Sequence, residues 1–292
     1  MRTLEYLHVD VFSQRPYGGN SLPVFWNAAD LGTGVLQAIT RELRHFEAIF
    51  VSPTHEAETV VARVFDLIEE LPFAGHPLIG AAVALQHMSR SFTAGTWTFD
   101  LSGRRVRVDV EYNTTGYRAI LDQGEPTFLS ELRHRGEIAR AFSLSEADLD
   151  ATLPLVVAST GLVYLVVPLR PGAIAKAKMQ SDISALLDSH GAQFAVLFDP
   201  AALEIRHWNN DGVIEDVATG SAAGVVGAYA VAQGIAAAST RFSLSQGRFT
   251  GRPSRLDIEV EGHKGRIARV KVGGGVAVIG RGCLDVLPEP QE

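Results

Sequence analysis

Four side chains in this chain have the chemistry and setting to move a proton or hold an anion: Glu47, His76, Asp216 and Ser221. Glu47 lies in the apolar run FEAIFV. Apolar surroundings favour a carboxyl group's neutral form, the property a general base working near neutral pH needs. His76 stands at the head of the apolar stretch PLIGAAVALQHM, where it could be a helix N-cap or a proton shuttle. Glu215 and Asp216 precede a turn of small residues, Thr219-Gly220-Ser221, and a nearly uncharged run to Gly234. Small polar residues before an apolar run signal a helix start. The first turn of a helix leaves backbone N–H groups without partners, and the helix dipole makes that end positive. A substrate carboxylate or a developing enolate would be stabilised there.

Each residue taken alone has a plainer reading. A lone Glu in a strand is more often an outward-facing residue, Asp216 could balance a helix N-terminus, and Ser221 could be only a cap. An internal echo changes the weighting. AGHPLIGAAVA (74–84) aligns without a gap on ATGSAAGVVGA (218–228), so that Gly80 falls on Gly224, about half a chain away. Each copy is a glycine turn leading into an apolar helix. A duplicated unit, one helix wrapped by a curled sheet in each half, explains the echo and would set two helix starts face to face across a cleft.

The elements that must position these residues follow from the hydrophobic pattern. Strands are expected at 4–12, 22–26, 46–51 (with Glu47 inside), 59–66, 96–101, 106–111 and 118–122. Helices are expected at 29–43 and 77–88, and a turn or loop at 15–20 and 71–76. The stretch 124–130 reads as a linker, 131–142 as an exposed helix, and Ser143 with Glu146 as a capping box. Strands at 155–158 and 162–168, a helix within 173–190 ended by Gly191, and strands at 194–198 and 203–208 lead to the Asp216 segment. After it, five strands are expected at 241–245, 255–261, 265–272, 276–279 and 283–287, with glycine-rich turns between them and a frayed PEPQE tail. The expected domains are 1–124, with a strand near 280–292 as its candidate completion, and 125–279.

Composition narrows the function classes. The 292 residues include 26 Lys plus Arg against 33 Asp plus Glu, a net charge of −7 with no basic block, which argues against a nucleic-acid partner. Cys283 is the single cysteine, excluding disulfides within the chain and cysteine-based zinc sites. The nine histidines show no metal-ligand spacing. The first residues, MRTLEYLHVDVFSQ, lack the apolar region of a signal peptide, and 222–238 is better explained as a buried helix than a membrane span. A cytoplasmic protein with no membrane association is the expectation. Ser221 is not in a G-x-S-x-G elbow, because Thr219 stands two residues before it, and no glycine cluster completes a phosphate or dinucleotide fingerprint.

The chain resembles the PhzF-like isomerases of phenazine biosynthesis, which share a fold with diaminopimelate epimerase and proline racemase. The matching segments are HVDVFSQRPYGGN, FEAIFV, LPFAGHPLIGAA, EDVATGSAAG, GRPSRLDIEV and VKVGGGVAVIGRGCL, in the family's order over nearly the whole chain. The resemblance implies an α+β fold of two pseudo-symmetric domains. Each is a curled, mostly antiparallel β-structure around a central apolar helix, with the active site in the cleft between them. It implies no metal or organic cofactor, a small-molecule carboxylate substrate and a homodimer. In this branch a glutamate removes a proton from carbon and the proton returns elsewhere on the substrate. Glu47 matches that glutamate, Gly75 and His76 the first helix-start motif, and Asp216, Gly220 and Ser221 the second. The expected catalytic residues are thus Glu47, His76 and Asp216, with Asn20, Gly75, Gly220 and Ser221 binding substrate. Epimerases of this fold use two cysteines, which neither helix-start motif contains. The alternatives are a thiol-independent racemase or epimerase, a non-catalytic binding protein, and serine hydrolysis at Ser221. Three segments depart from the family pattern and bear on substrate choice: Leu43-Arg44-His45-Phe46 where small polar residues are usual, Ser21 where proline follows Asn20, and HWNNDGVI before Glu215.

Overall fold

A computed structural model describes residues 3–90 and 92–289. The chain forms two compact units, Met1–Asp122 with Gly273–Glu292, and Gln123–Val272. In the first unit the strands are β1 (Leu4–Val11), β2 (Asn20–Trp26), β3 (Glu47–Pro53), β4 (Thr59–Asp66), the two-residue β5 (Glu70–Leu71), β6 (Gly95–Leu101), β7 (Arg104–Asn113) and β8 (Gly116–Gly124). The helices are α1 (Thr33–Leu43) and α2 (Gly75–Met88). The pairing runs β1-β2-β3-β4-β6-β7-β8, with β5 alongside β4. Strands β2 and β3, and β4 and β6, run parallel; the other neighbours are antiparallel. α2 packs against β1, β2, β3, β6 and β7. It is apolar on nearly every side, as a helix enclosed by sheet must be. Gly80 lets the strands approach: a Cβ there would sit 2.5 Å from the Leu22 side chain and 2.8 Å from Val11. α1 is amphipathic and buries Val35, Leu36 and Ile39 against Phe25, Phe50 and Phe65 on the other face of the sheet.

The second unit comprises β9 (Thr127–Leu132), α3 (Arg135–Ala141), β10 (Leu155–Ser159), β11 (Val163–Pro168), α4 (Ser184–Ser189), β12 (Phe194–Asp199), β13 (Glu204–Arg206), α5 (Gly220–Ala232), β14 (Phe242–Gln246) and β15 (Ser254–His263). β16 (Arg266–Leu284) starts here and continues into the first unit, where it pairs antiparallel with β1. From β10 to β15 the directions are antiparallel, parallel, antiparallel, parallel, antiparallel, the same series as from β1 to β7. Helical segments also fall at the same points, α5 between β13 and β14 as α2 falls between β4 and β6. The echo around Gly80 and Gly224 is thus a repeat of topology. α5 is buried almost throughout and packs on β11, β12 and β15. Among the described residues no helix is long and apolar enough to cross a membrane.

Several elements differ from the sequence expectation. The 124–130 linker and the start of the 131–142 helix are strand β9: its side chains are exposed, but its backbone pairs with β10 from Thr127↔Ser159 to Leu132↔Leu155. The helix shrinks to α3, which buries Ile138 and Ala139. The capping box is Ser145 with Asp148, because Ser143 takes a left-handed turn. The helix expected within 173–190 is α4, followed as expected by Gly191 in the left-handed region, and a 3-10 turn at Ala173–Ala175 precedes it. Between them the backbone bonds elsewhere, Lys178 N–H to Phe142 O and Ile183 N–H to Asn210 O. Asn20 opens β2 instead of ending a loop. The last three expected strands are one, β16. Gly273 and Gly275 are points of close contact, not turns: a Cβ on Gly273 would lie 2.2 Å from Ala119 O, and one on Gly275 2.2 Å from Gln14 Cγ. Pro290–Glu292 of the tail expected to fray lie outside the described residues.

Candidate active site

In the first unit, β3 and α2 bring Glu47 and His76 together. Glu47 is the first residue of β3, set opposite Asp66 of β4. Ala74, in extended conformation, is the N-cap of α2, so His76 is its second helical residue and not the cap. That places the ring 3.1 Å from the carboxylate, Nε2 to Oε2, with the His76 side chain 7% and Glu47 20% exposed. Such pairs are often loose without substrate and tighten in the reacting complex. A Cβ built on Gly75 meets nothing within 4 Å, so the head of α2 has open space beside it. Asn20 is almost fully buried at the start of β2, paired in register with Val11 of β1.

In the second unit, Asp216 organises the turn that leads into α5. Its Oδ2 accepts from Thr219 Oγ1 at 2.5 Å and its Oδ1 from the Ala218 N–H at 3.3 Å. Thr219 is the N-cap residue by backbone conformation, and α5 begins at Gly220. Ser221 is therefore inside the first turn and is not the cap. Its Oγ lies 2.8 Å from the phenol oxygen of Tyr164 on β11. The Gly220 carbonyl accepts from Gln123 Nε2 at 2.9 Å.

Two supporting groups, Gln246 and Arg206, carry no signature in the sequence, and a third, His207, lies in a segment that departs from the family pattern. Gln246, buried at the end of β14, accepts from the Thr219 N–H and donates to Thr219 Oγ1 and to the Asp216 carbonyl. Arg206 donates to both oxygens of Glu215, each at 2.8 Å, and to the carbonyls of Ile174 and Ala177. His207, within the HWNNDGVI segment, packs edge-on against Tyr164 and Phe194. Burial pushes its imidazole below the ordinary range, partly offset by the Asp216 charge and the bond to Ala195 O. A carbonyl can only accept, so Nδ1 carries the proton in that 2.9 Å bond. Glu215 was visible beside Asp216, but nothing marked Arg206 as its partner. Among the described residues, no group of three or more His, Cys, Asp or Glu is placed to hold a metal ion.

The geometry thus offers a close carboxylate–imidazole pair in one unit, and a helix start ordered by hydrogen bonds in the other. Comparison with known proteins agrees with an isomerase. Residues 9–282 match the family described as phenazine biosynthesis-like protein. The trans-2,3-dihydro-3-hydroxyanthranilate isomerase of Pseudomonas chlororaphis is 30% identical, over 96% of this chain and 98% of its own. The uncharacterized isomerase YddE of Salmonella typhimurium is 31% identical over 93% and 95%. Among solved structures, a Pseudomonas aeruginosa protein described as a predicted epimerase superposes with a TM-score of 0.90 at 43% identity, covering 97% of this chain and 99% of its own. A hydroxyproline epimerase from Agrobacterium vitis, at 13% identity and TM-score 0.63 over 97% of this chain and 92% of its own, shares the fold. The chain belongs to the phenazine biosynthesis-like (PhzC–PhzF) family and is an isomerase.

Proposed function

We propose that this isomerase moves a proton between two carbons of a small carboxylated metabolite, using side chains alone as acid and base. The observation that carries the reading is the 3.1 Å approach of Glu47 to His76 at the head of α2. Glu47 removes the proton from carbon and, after exchange with solvent, delivers a proton at another carbon, and His76 polarises the substrate or relays the proton. The first N–H groups of α5 and the Ser221 hydroxyl, next to the Asp216–Thr219 turn, are groups that can take a carboxylate or an enolate oxygen. General acid–base catalysis supplies about 10²–10⁴-fold. Proton removal from carbon needs more, which positive helix starts supply electrostatically. The relative's name points to a dihydro-aromatic amino acid as the first substrate to try. The test is turnover of trans-2,3-dihydro-3-hydroxyanthranilate in deuterated water, followed by NMR. A shifted double bond with one deuterium at the carbon that gains the proton supports the reading.

A second reading has its own support, the predicted-epimerase description of the 43% identical structure. Deuterium at the carbon that lost its proton, with inverted configuration and no double-bond movement, would identify an epimerase.

A further inference from the structure

Two of the departures from the family pattern, Ser21 and the Leu43–Phe46 segment, are separate in sequence but touch in the structure. The Ser21 hydroxyl lies 2.9 Å from His45 Nδ1 and 2.7 Å from His8 Nε2. The two rings meet edge to face with centroids 5.0 Å apart. Asp10 stands beside them, its Oδ1 4.0 Å from His8 Nε2 and its Oδ2 accepting from the Tyr17 N–H at 2.7 Å. A hydroxyl has one proton and two lone pairs, so it can donate to one ring and accept from the other. One serine thus joins β1, β2 and the segment entering β3.

We propose that His8, Ser21 and His45 act as one positioning unit for Glu47. Arg44, in the left-handed region, ends α1 with its N–H on Thr40 O, and β3 begins at Glu47. Only His45 and Phe46 lie between, outside helix and strand, and they determine how Glu47 enters the sheet. His45 is tied through Ser21 to β2, where Ser21 faces Asp10 in register and follows the buried Asn20. A proline at position 21 would have no hydroxyl to offer, so the two departures make a single feature. The unit contacts no substrate in this account; it holds the strand end that carries the base.

This proposal rests on the reading of Glu47 as the proton carrier, and the experiment separates the two. Ser21→Ala, His45→Ala and the double variant are compared by deuterium exchange into trans-2,3-dihydro-3-hydroxyanthranilate and by the Glu47 side-chain carboxyl resonance in a ¹³C-labelled protein. One hydrogen bond corresponds to about three- to tenfold in rate. Each single variant is expected to lose about that much in kcat with KM nearly unchanged, the double variant to lose no more than the larger single loss, and Ser21→Thr to restore the rate. The Glu47 resonance is expected to move in Ser21→Ala while the melting temperature stays within a few degrees. Additive losses, or an unmoved Glu47 resonance, would overturn the proposal. If Glu47→Gln exchanged like the unaltered protein, the base assignment would fall, and the Glu47 resonance in Ser21→Ala would still decide the positioning role.

Discussion

Arg206→Ala should be among the most damaging single changes in the second unit. The Arg206 side chain is 8% exposed and its partner Glu215 14%. Its guanidinium makes two bonds to Glu215 and two to main-chain carbonyls, and lies 4.4 Å from the Trp208 ring centre and 4.0 Å from that of Phe249. Truncation leaves the Glu215 carboxylate without its counter-ion and the Ile174 and Ala177 carbonyls without those donors. Removing one partner of a buried pair costs about 3–5 kcal/mol. With a urea slope near 3 kcal/mol per M, the midpoint should fall by about 1 M or more. Glu215 precedes Asp216 and pairs with Trp208 across the bend, so the loss should also loosen the turn before α5. Arg206→Lys should recover only part, since an ammonium cannot make the two-pronged contact. Arg206→Met with Glu215→Leu should be more stable than Arg206→Ala, because no charge is left stranded. Urea denaturation followed by Trp fluorescence and circular dichroism compares all three variants with the unaltered protein. A loss under about 1 kcal/mol for Arg206→Ala would refute the reasoning.

Two further predictions concern stability. The buried His207 is pushed below its usual value of 6.5, so the unfolded chain binds protons there that the folded chain does not. Its contribution is fully present above about pH 6.5 and is lost as the pH falls through the folded-state value. Melting temperature should therefore drop more steeply between pH 7.5 and 5.5 in the unaltered protein than in His207→Asn, and equal slopes would contradict this. Gly273→Ala would push a Cβ into the Ala119 carbonyl and should cost about 1–3 kcal/mol, or several degrees of melting temperature. Gly280→Ala, with nothing within 4 Å, should stay within about 0.5 kcal/mol.

Elements are legible in the sequence where a local pattern and the tertiary environment agree. TVVARVFD is β4 without a shift of either end, and the two uniformly apolar helices are α2 and α5. They are not legible where backbone pairing overrides side-chain character. TFLSEL reads as the end of a linker and the start of an exposed helix, yet it is strand β9, and β10 supplies its hydrogen bonds. Gly273–Gly275 looks like a turn, and the tight approach of Ala119 and Gln14 that requires glycine depends on residues far away in the chain. Among the candidate residues, Glu47, His76 and Asp216 stand out in the sequence because each adjoins a helix start or an apolar strand. Tyr164, Gln246 and Arg206 do not, because their roles depend on partners 57, 27 and 9 residues away, with no fixed spacing to betray them. Ser21 and His45 were noticed only as irregularities, and their contact gave them a common meaning.

The central claim is that Glu47 carries the proton. The direct measurement is the rate of deuterium incorporation from solvent into trans-2,3-dihydro-3-hydroxyanthranilate by the unaltered protein and by Glu47→Gln, which keeps the side chain's size and removes its basicity. Exchange in the variant is expected to fall by at least the ~10²-fold typical of losing a general base, with folding intact by circular dichroism. Exchange in Glu47→Gln at the unaltered rate would contradict it.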